Sequence, residues 1–394
     1  HVAIAILAPY ADQVMLPVVA LLNAIGLVVI YRLDLAERPG YGPLAERQML
    51  WSLVGVGLMV LTLIVVRDHK SLSRYSYLLG LVGLILLALP LVWPQPPGYE
   101  EARIWLWLGP FSIQPGEFSK ILLLIFFAQL LAQKRALFTV AGRRFAGLTF
   151  PRLRDLAPIL MVWAIAILIM AVSNDFGPAL LLFATVLGMV YFATGRASWL
   201  AIGLALVAIG GYAVYQVSSK IQERVSNFLD PFADFEGIGN QPANALIGLS
   251  WGGITGTGLG YGHPELVPVA HSDYILAALG EELGFVGIAA VLCLFGVFVT
   301  RGFRTAMQAR DSYGKLLASG LALTIAIQIF VVAGGVSAML PMTGLTTPFM
   351  SAGGSSVMAN YILLGLLLRI SNGANRPADY DAVAAAQPEE VSVR

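Results

Sequence analysis

Polar positions in this 394-residue chain fall into clusters, separated by continuous apolar runs rather than by the every-other-residue alternation of a half-buried strand. Ten runs approach the length at which a helix crosses a bilayer, about 20 residues. They cover 14–30, 50–66, 77–93, 118–132, 157–172, 178–193, 199–216, 285–300, 316–340 and 348–368. Only helices and closed barrels satisfy their own backbone in hydrocarbon, and unbroken apolar runs favour helices. The pattern therefore predicts an all-α, polytopic integral membrane protein with about ten transmembrane helices. One connection, 217–284 between the seventh and eighth helices, is far longer than the others, and loops of that length tend to carry function. Its apolar stretches at 245–254 and 274–279 predict re-entrant or interfacial helices. The leading run at 2–10 is too short to span, and is expected to be an interfacial piece or the end of a longer helix. The residues after 371 are rich in Ala, Pro and Glu. They predict a disordered tail at 372–394 beyond a transmembrane domain at 1–371.

Composition supports this and narrows it. The chain is 58% hydrophobic and 12% charged, with a mean hydropathy of +0.78, outside the range of soluble globular domains. A net charge of +1 gives no reason to expect nucleic acid as a partner. The single cysteine, Cys293, lies inside an apolar run, which excludes an intramolecular disulfide and leaves packing as its expected role. No cleavable signal peptide is expected in these residues.

The charges are distributed unevenly among the connections. Alternate loops carry Arg67, Lys70 and Arg74; Lys134, Arg135, Arg143, Arg144, Arg152 and Arg154; Arg196; Arg301, Arg304, Arg310 and Lys315; and Arg369 and Arg376. The other loops hold fewer bases, chiefly Arg32, Arg38, Arg47, Arg103, Lys220 and Arg224. The excess of bases on cytoplasmic loops then predicts that both termini are cytoplasmic and that the long 217–284 connection faces outward.

Several ionisable residues are out of keeping with apolar surroundings. In the stretch 271–284, His271, Asp273, Glu281 and Glu282 abut an apolar run. Ser272 or Asp273 is a helix cap on one reading. On the other, a partly desolvated Asp273 has a raised pKa and acts as a general base. Glu281 follows Asp273 by two helical turns on roughly the same face, whereas Glu282 falls roughly opposite and is expected to be structural. Glu117 and Lys120 stand three apart at the start of the fourth span, either as an ion pair within the bundle or with Lys120 meeting an anionic substrate. Asp175 sits at the tight turn between spans five and six, where Pro178 opens the next helix; a cap is the plain reading. Gly252, Gly253, Gly256, Gly258, Gly260 and Gly262 form a glycine-rich loop, but no Lys-Ser/Thr follows to make it a nucleotide site. Pro341, Gly344, Pro348, Gly353 and Gly354 break the entry to the last span, as happens where backbone lines a cavity.

Five motifs in order give the chain a family likeness. They are Trp-Leu-Trp-Leu-Gly-Pro-Phe-Ser-Ile-Gln-Pro-Gly-Glu-Phe-Ser-Lys (105–120), Asn-Asp-Phe-Gly (174–177) and Gly-Gly-Ile-Thr-Gly-Thr-Gly-Leu-Gly (252–260). His-Ser-Asp-Tyr-Ile with Gly-Glu-Glu-Leu-Gly (271–284) and Thr-Thr-Pro-Phe-Met-Ser-Ala-Gly-Gly-Ser-Ser (346–356) complete the set. With these the chain resembles the SEDS family of shape, elongation, division and sporulation proteins, the RodA/FtsW group, over nearly its whole length. The stretch 22–34 is similar to the actinobacterial RodA branch.

The resemblance implies a peptidoglycan glycosyltransferase that polymerises lipid II at the outer face of the bacterial cytoplasmic membrane, for elongation and cell shape. It implies an inverting reaction that releases undecaprenyl pyrophosphate, and a class B penicillin-binding protein as transpeptidase partner. It places the family's essential acid at Asp273, its membrane-embedded pair at Glu117 and Lys120, and its turn acid at Asp175. His271 and Glu281 are expected to support the site. Two departures matter: Val269 stands where the family often has Glu, and Ser112 where it often has Arg. The cation facing the pyrophosphate is then expected among Arg103, Arg224 and Lys120, or to be a divalent metal such as Mg or Mn; no organic cofactor is expected. A lipid II flippase is the alternative that Gly/Pro-broken helices equally permit. A scaffold without catalysis is a third.

Overall fold

The computed structural model of the chain describes residues 1–36, 43–96, 103–109, 111–139, 144–145, 148–149 and 153–377. A long helix stands at each of the ten predicted spans. In chain order the helices are α1 (Val2–Leu7), α2 (Met15–Asp34), α3 (Leu44–Val65), α4 (Lys70–Arg74), α5 (Ser76–Val92), α6 (Pro115–Thr139) and α7 (Leu153–Val172). There follow α8 (Phe176–Thr194), α9 (Ser198–Val217), α10 (Ser219–Leu229), α11 (Asn240–Gly252), α12 (Ile275–Gln308), α13 (Ser312–Val336) and α14 (Gly354–Asn375). Among the described residues, eight helices are long and apolar enough to cross a membrane. The other two expected spans are α5, with 17 residues, and the apolar part of α7, Leu160–Val172. At about 1.5 Å per residue, α5 reaches roughly 25 Å, a little short of the hydrocarbon core.

Burial follows the logic of a bundle in lipid. Helices α6, α13 and α14 form the interior, while α9 exposes nearly its whole surface, including Leu204, Ile209 and Tyr212. The pairs α3–α14, α5–α6 and α12–α13 make the most extensive contacts. The leading run is a short helix docked on the end of α14: Arg369 donates to the Leu7 carbonyl at 2.9 Å, and the Tyr10 amide donates to Asn372 Oδ1 at 2.9 Å. The last span runs on to Asn375, past the expected start of the tail at 372. The rest of that tail, from 378, lies outside the described residues.

The helix expected at 274–279 and the span expected from 285 meet in α12, which starts at Ile275 and is broken at Gly284 (φ 67°, ψ −169°). A break frees backbone groups that hydrocarbon cannot satisfy. The glycine-rich loop supplies partners for them. Phe285 N–H donates to Gly253 O at 2.9 Å and Val286 N–H to Ile254 O at 3.1 Å, while Thr257 and Gly258 N–H donate back to Glu281 O and Glu282 O at 3.0 and 2.9 Å. The loop is thus a plug in the α12 break. One further boundary departs from expectation: the final helix begins at Gly354 rather than at 348, and the preceding irregular segment, 341–353, enters the bundle with Phe349 and Met350 fully buried.

Candidate active site

The long connection folds as predicted into helices, and these bring the site together. Helix α10 is capped by Ser218, whose side chain accepts from Ile221 N–H at 3.4 Å. Four residues apart on α10, Lys220 and Arg224 share one face. Lys220 Nζ donates to Asn174 O at 3.2 Å, and Arg224 Nη1 donates to Thr343 O at 2.8 Å. One helix therefore ties the α7–α8 turn to the irregular segment before α14.

Asp273 lies on the far side of that segment. It does not cap α12: Tyr274 holds the cap position, and no side-chain cap bond is made there. Instead, Asp273 Oδ1 accepts from Ser272 Oγ at 2.8 Å. The Asp273 carboxylate and the Arg224 guanidinium face a cavity of about 140 Å³ whose wall includes Asn227, Gln241, Tyr274 and Met342. Burial pushes the Asp273 carboxyl above the ordinary carboxylate range; the Ser272 hydrogen bond and the Arg224 charge pull it back only in part. Burial lowers the Arg224 guanidinium, against the pull of Asp273 and Asp175.

Asp175 joins the same charge cluster. It occupies the N-cap position of α8 without making a side-chain cap bond, so capping does not account for it. Its carboxyl is raised to about 6, first by burial and then by the negative charge of Glu117, with Lys220 and Arg224 opposing. Glu117 and Lys120 form a buried pair at 2.6 Å at the start of α6. Together with Gln114, Asp175, Thr185 and Thr324 they line a narrow cavity inside the bundle.

Three expected contributors are placed differently. Glu281 does not share the Asp273 face: it accepts from the His263 amide and packs against Gly248 and Gly262, while Asp273 stands in the turn before α12, where helical spacing no longer applies. Arg103 is exposed and donates to Leu91 O at 3.3 Å, away from the Asp273 cavity. His271 reaches the site through its backbone, its carbonyl accepting from Ala352 N–H at 2.8 Å. Its ring is held below the usual histidine range by burial, with the charge of Asp34 opposing and that of Arg47 adding to the shift. Glu282, expected to be structural, is buried against Arg32 at 2.8 Å.

Two participants escaped the sequence reading. Lys220 was visible as one of two bases four apart in a helical stretch, a signal not connected to the site. Ser351 donates to Ser272 O at 2.6 Å, a contact across 79 positions that no spacing could indicate.

A second cavity, about 710 Å³ and almost wholly apolar, runs beside the first between α11, α12 and α13; Val336 and Leu340 line both. Among the described residues no three His, Cys, Asp or Glu side chains gather as a metal-binding set. Arg224 is the side-chain cation that faces the Asp273 cavity.

The family profile described as "Cell cycle protein", of FtsW, RodA and SpoVE, matches residues 12–376. The chain belongs to the FtsW/RodA/SpoVE family. A Mycobacterium tuberculosis protein named peptidoglycan glycosyltransferase RodA is 52% identical over 381 residues, 96% of this chain and 81% of that protein. Among solved structures, a chain from a study of the coordination of polymerization and crosslinking by a peptidoglycan synthase complex aligns with TM-score 0.72 and 27% identity, covering 93% of this chain and 99% of that one. The rod shape determining protein RodA of Thermus thermophilus aligns with TM-score 0.64 and 25% identity, covering 93% and 98%. The FtsW/RodA/SpoVE membership fits the all-α, multi-pass architecture and the order of the five motifs.

Proposed function

We propose that this protein is a peptidoglycan glycosyltransferase that polymerises lipid II at the outer face of the bacterial cytoplasmic membrane. The observation that carries the reading is Asp273 beside Arg224 in a cavity that adjoins an apolar groove. An acid and a cation are what the reaction needs, and the groove gives isoprenoid tails a path from the bilayer. The Asp273 end of the bundle is extracytoplasmic and both termini are cytoplasmic, a reading supported by the alternation of basic loops.

In this mechanism Asp273, ionised, removes the proton from the 4-hydroxyl of the acceptor GlcNAc. The freed oxygen attacks the anomeric carbon of the MurNAc at the end of the growing chain. The bond from that carbon to the pyrophosphate oxygen breaks, and undecaprenyl pyrophosphate leaves with the electron pair, inverting the centre. Arg224 and Lys220 offset the charge that develops on the leaving group. Pyrophosphate needs no strong acid to depart, so one base with fixed cations suffices. The donor set does not fit a resident divalent ion, and no step here passes through one. The partner is a class B penicillin-binding protein, in keeping with the synthase complex to which the fold is similar.

The test is lipid II polymerisation by the purified protein and its partner, parent against Asp273→Asn. The parent makes glycan and the variant does not. Full synthesis by a folded Asp273→Asn protein removes the base assignment, and lipid II translocation without polymerisation by the parent supports a flippase instead.

A further inference from the structure

The segment that carries Asp273's neighbours is itself held from behind by amides inside the bundle. Phe349 has φ +64°, a left-handed conformation that a side-chain-bearing residue keeps only when its surroundings impose it. Two buried side chains do so. Asn23, on α2, donates to Phe349 O at 2.9 Å. Gln48, on α3, spends both ends of its amide on the segment: Nε2 donates to Ser351 O at 2.9 Å, and Oε1 accepts from Gly353 N–H at 3.1 Å. Ser52 links the two, accepting from Asn23 Nδ2 at 3.2 Å and donating to Gln48 O at 2.8 Å. Asn23 and Gln48 are only 7% and 3% exposed within transmembrane helices, where an unneeded amide is selected against by its desolvation cost. Gly26 completes the fit, since a Cβ there would fall 2.5 Å from Met350 O.

On its other side the same segment grips the base. Ser351 Oγ, positioned by Thr347 N–H at 2.8 Å, donates to Ser272 O at 2.6 Å. Ala352 N–H donates to His271 O at 2.8 Å. The two contacts that this segment makes with residues 271 and 272 thus come from the Ser351 hydroxyl and the Ala352 amide, and Gln48 brackets that pair at Ser351 O and Gly353 N–H. Resting on the glycosyltransferase reading, we propose that Gln48 and Asn23 are positioning residues: through the 349–353 segment they set the place of Asp273 against Arg224, without touching substrate.

The experiment combines hydrogen exchange with kinetics on the full chain and its partner. In Gln48→Leu, backbone exchange rises in 347–353 and also in 271–275, while α6 and α13 keep their protection. Because this readout needs no turnover, it stands even if the parent fails to polymerise lipid II, an outcome that counts against the functional reading alone. In the active protein, kcat falls about 10²-fold, as for a catalytic group displaced by about 1 Å, with KM little changed. The acidic limb of the pH–rate profile moves to higher pH as the carboxylate loses part of Arg224's influence. Gln48→Glu keeps the acceptor for Gly353 but loses the donor to Ser351, and falls between parent and Gln48→Leu. Unchanged exchange at 271–275, or a kcat lowered equally at every pH with the limb in place, overturns the proposal. So does failure of both variants to fold, which would make the amides elements of the fold alone.

Discussion

Arg224 and Asp273 meet across Gly344: a Cβ at that glycine would lie 3.0 Å from Arg224 Nη2 and 3.6 Å from Asp273 Oδ2. The cation stands on α10 and the acid in the turn before α12, and they share one point of backbone. Arg224 lowers the Asp273 carboxyl against the opposing effect of burial. Removing the guanidinium raises that carboxyl further. A base must be ionised to act, so activity declines as pH falls through its pKa. Arg224→Leu is expected to move the acidic limb of lipid II polymerisation to higher pH and to reduce kcat; Arg224→Lys restores the limb more than it restores the rate, because a point charge replaces the fork that also holds Thr343 O. A rate profile over pH for the three proteins decides it, and an unmoved limb in Arg224→Leu is the contrary result.

Gly344 itself is the second test. Its φ of +75° is one that side chains rarely adopt, and the neighbouring space belongs to the reacting pair. Gly344→Ala is expected to cost about 1–2 kcal/mol of stability from strain at a single left-handed position. Its loss of polymerisation should be larger, tenfold or more, because the methyl group intrudes on Arg224. Comparing the shift in melting temperature with the loss of kcat separates the two effects. An active Gly344→Ala enzyme would show that the spacing is not critical.

What could be read from the chain, and what could not, follows from the range of the interactions involved. The spans were legible because hydrophobicity is a local, repeated signal, and every window of α2 or α13 carries it. The helix at 274–279 and the span from 285 were both legible, but their joining across Gly284 was not, because the partners of Glu281 and Glu282, the His263 amide and Arg32, are remote in sequence. Asp273 stood out as an acid beside an apolar run, and the family likeness raised it above a cap. Its assembly with Asp175, Lys220 and Arg224 was not legible, since the irregular 341–353 segment makes the connection and carries no periodicity. Glu281 was misplaced for a different reason: Asp273 stands in the turn before α12, so the two-turn helical spacing does not extend back to it.

Asp175 predicts a pH dependence of stability. Its carboxyl is raised from 3.8 to about 6 in the fold. A raised acid favours the protonated folded state, so its contribution is most favourable at low pH and declines as pH rises between those two values. Asp175→Asn removes the buried charge. The variant is therefore expected to melt higher than the parent at pH 7.5 and to show a flatter melting temperature between about pH 4 and 6. Its activity should fall all the same, because Lys220 and Arg224 lose a counter-charge. Thermal unfolding in detergent across pH is the check, and a variant less stable than the parent at pH 7.5 would refute the reasoning.

The glycine loop and the α12 break stand on one ion pair. Arg32 Nε lies 2.8 Å from Glu282 Oε1, and Arg32 Nη2 donates to Gly262 O at 2.8 Å; Gly260 N–H donates to the same Glu282 oxygen at 3.2 Å. Glu282 is 2% exposed, so losing its partner strands a buried charge, a change worth about 3–5 kcal/mol where it has been measured. Replacing both groups strands none. Arg32→Met is therefore expected to lower the melting temperature sharply, and Arg32→Met with Glu282→Met to recover at least half of the loss. The double-mutant cycle should give a coupling energy above about 1 kcal/mol. Polymerisation should follow stability in this series, with the pH limb of Asp273 unmoved, because the pair acts on the break at Gly284 and not on the 343–353 segment. Additive effects of the two substitutions would mean that the loop is held by its backbone bonds to Gly253 and Ile254 alone.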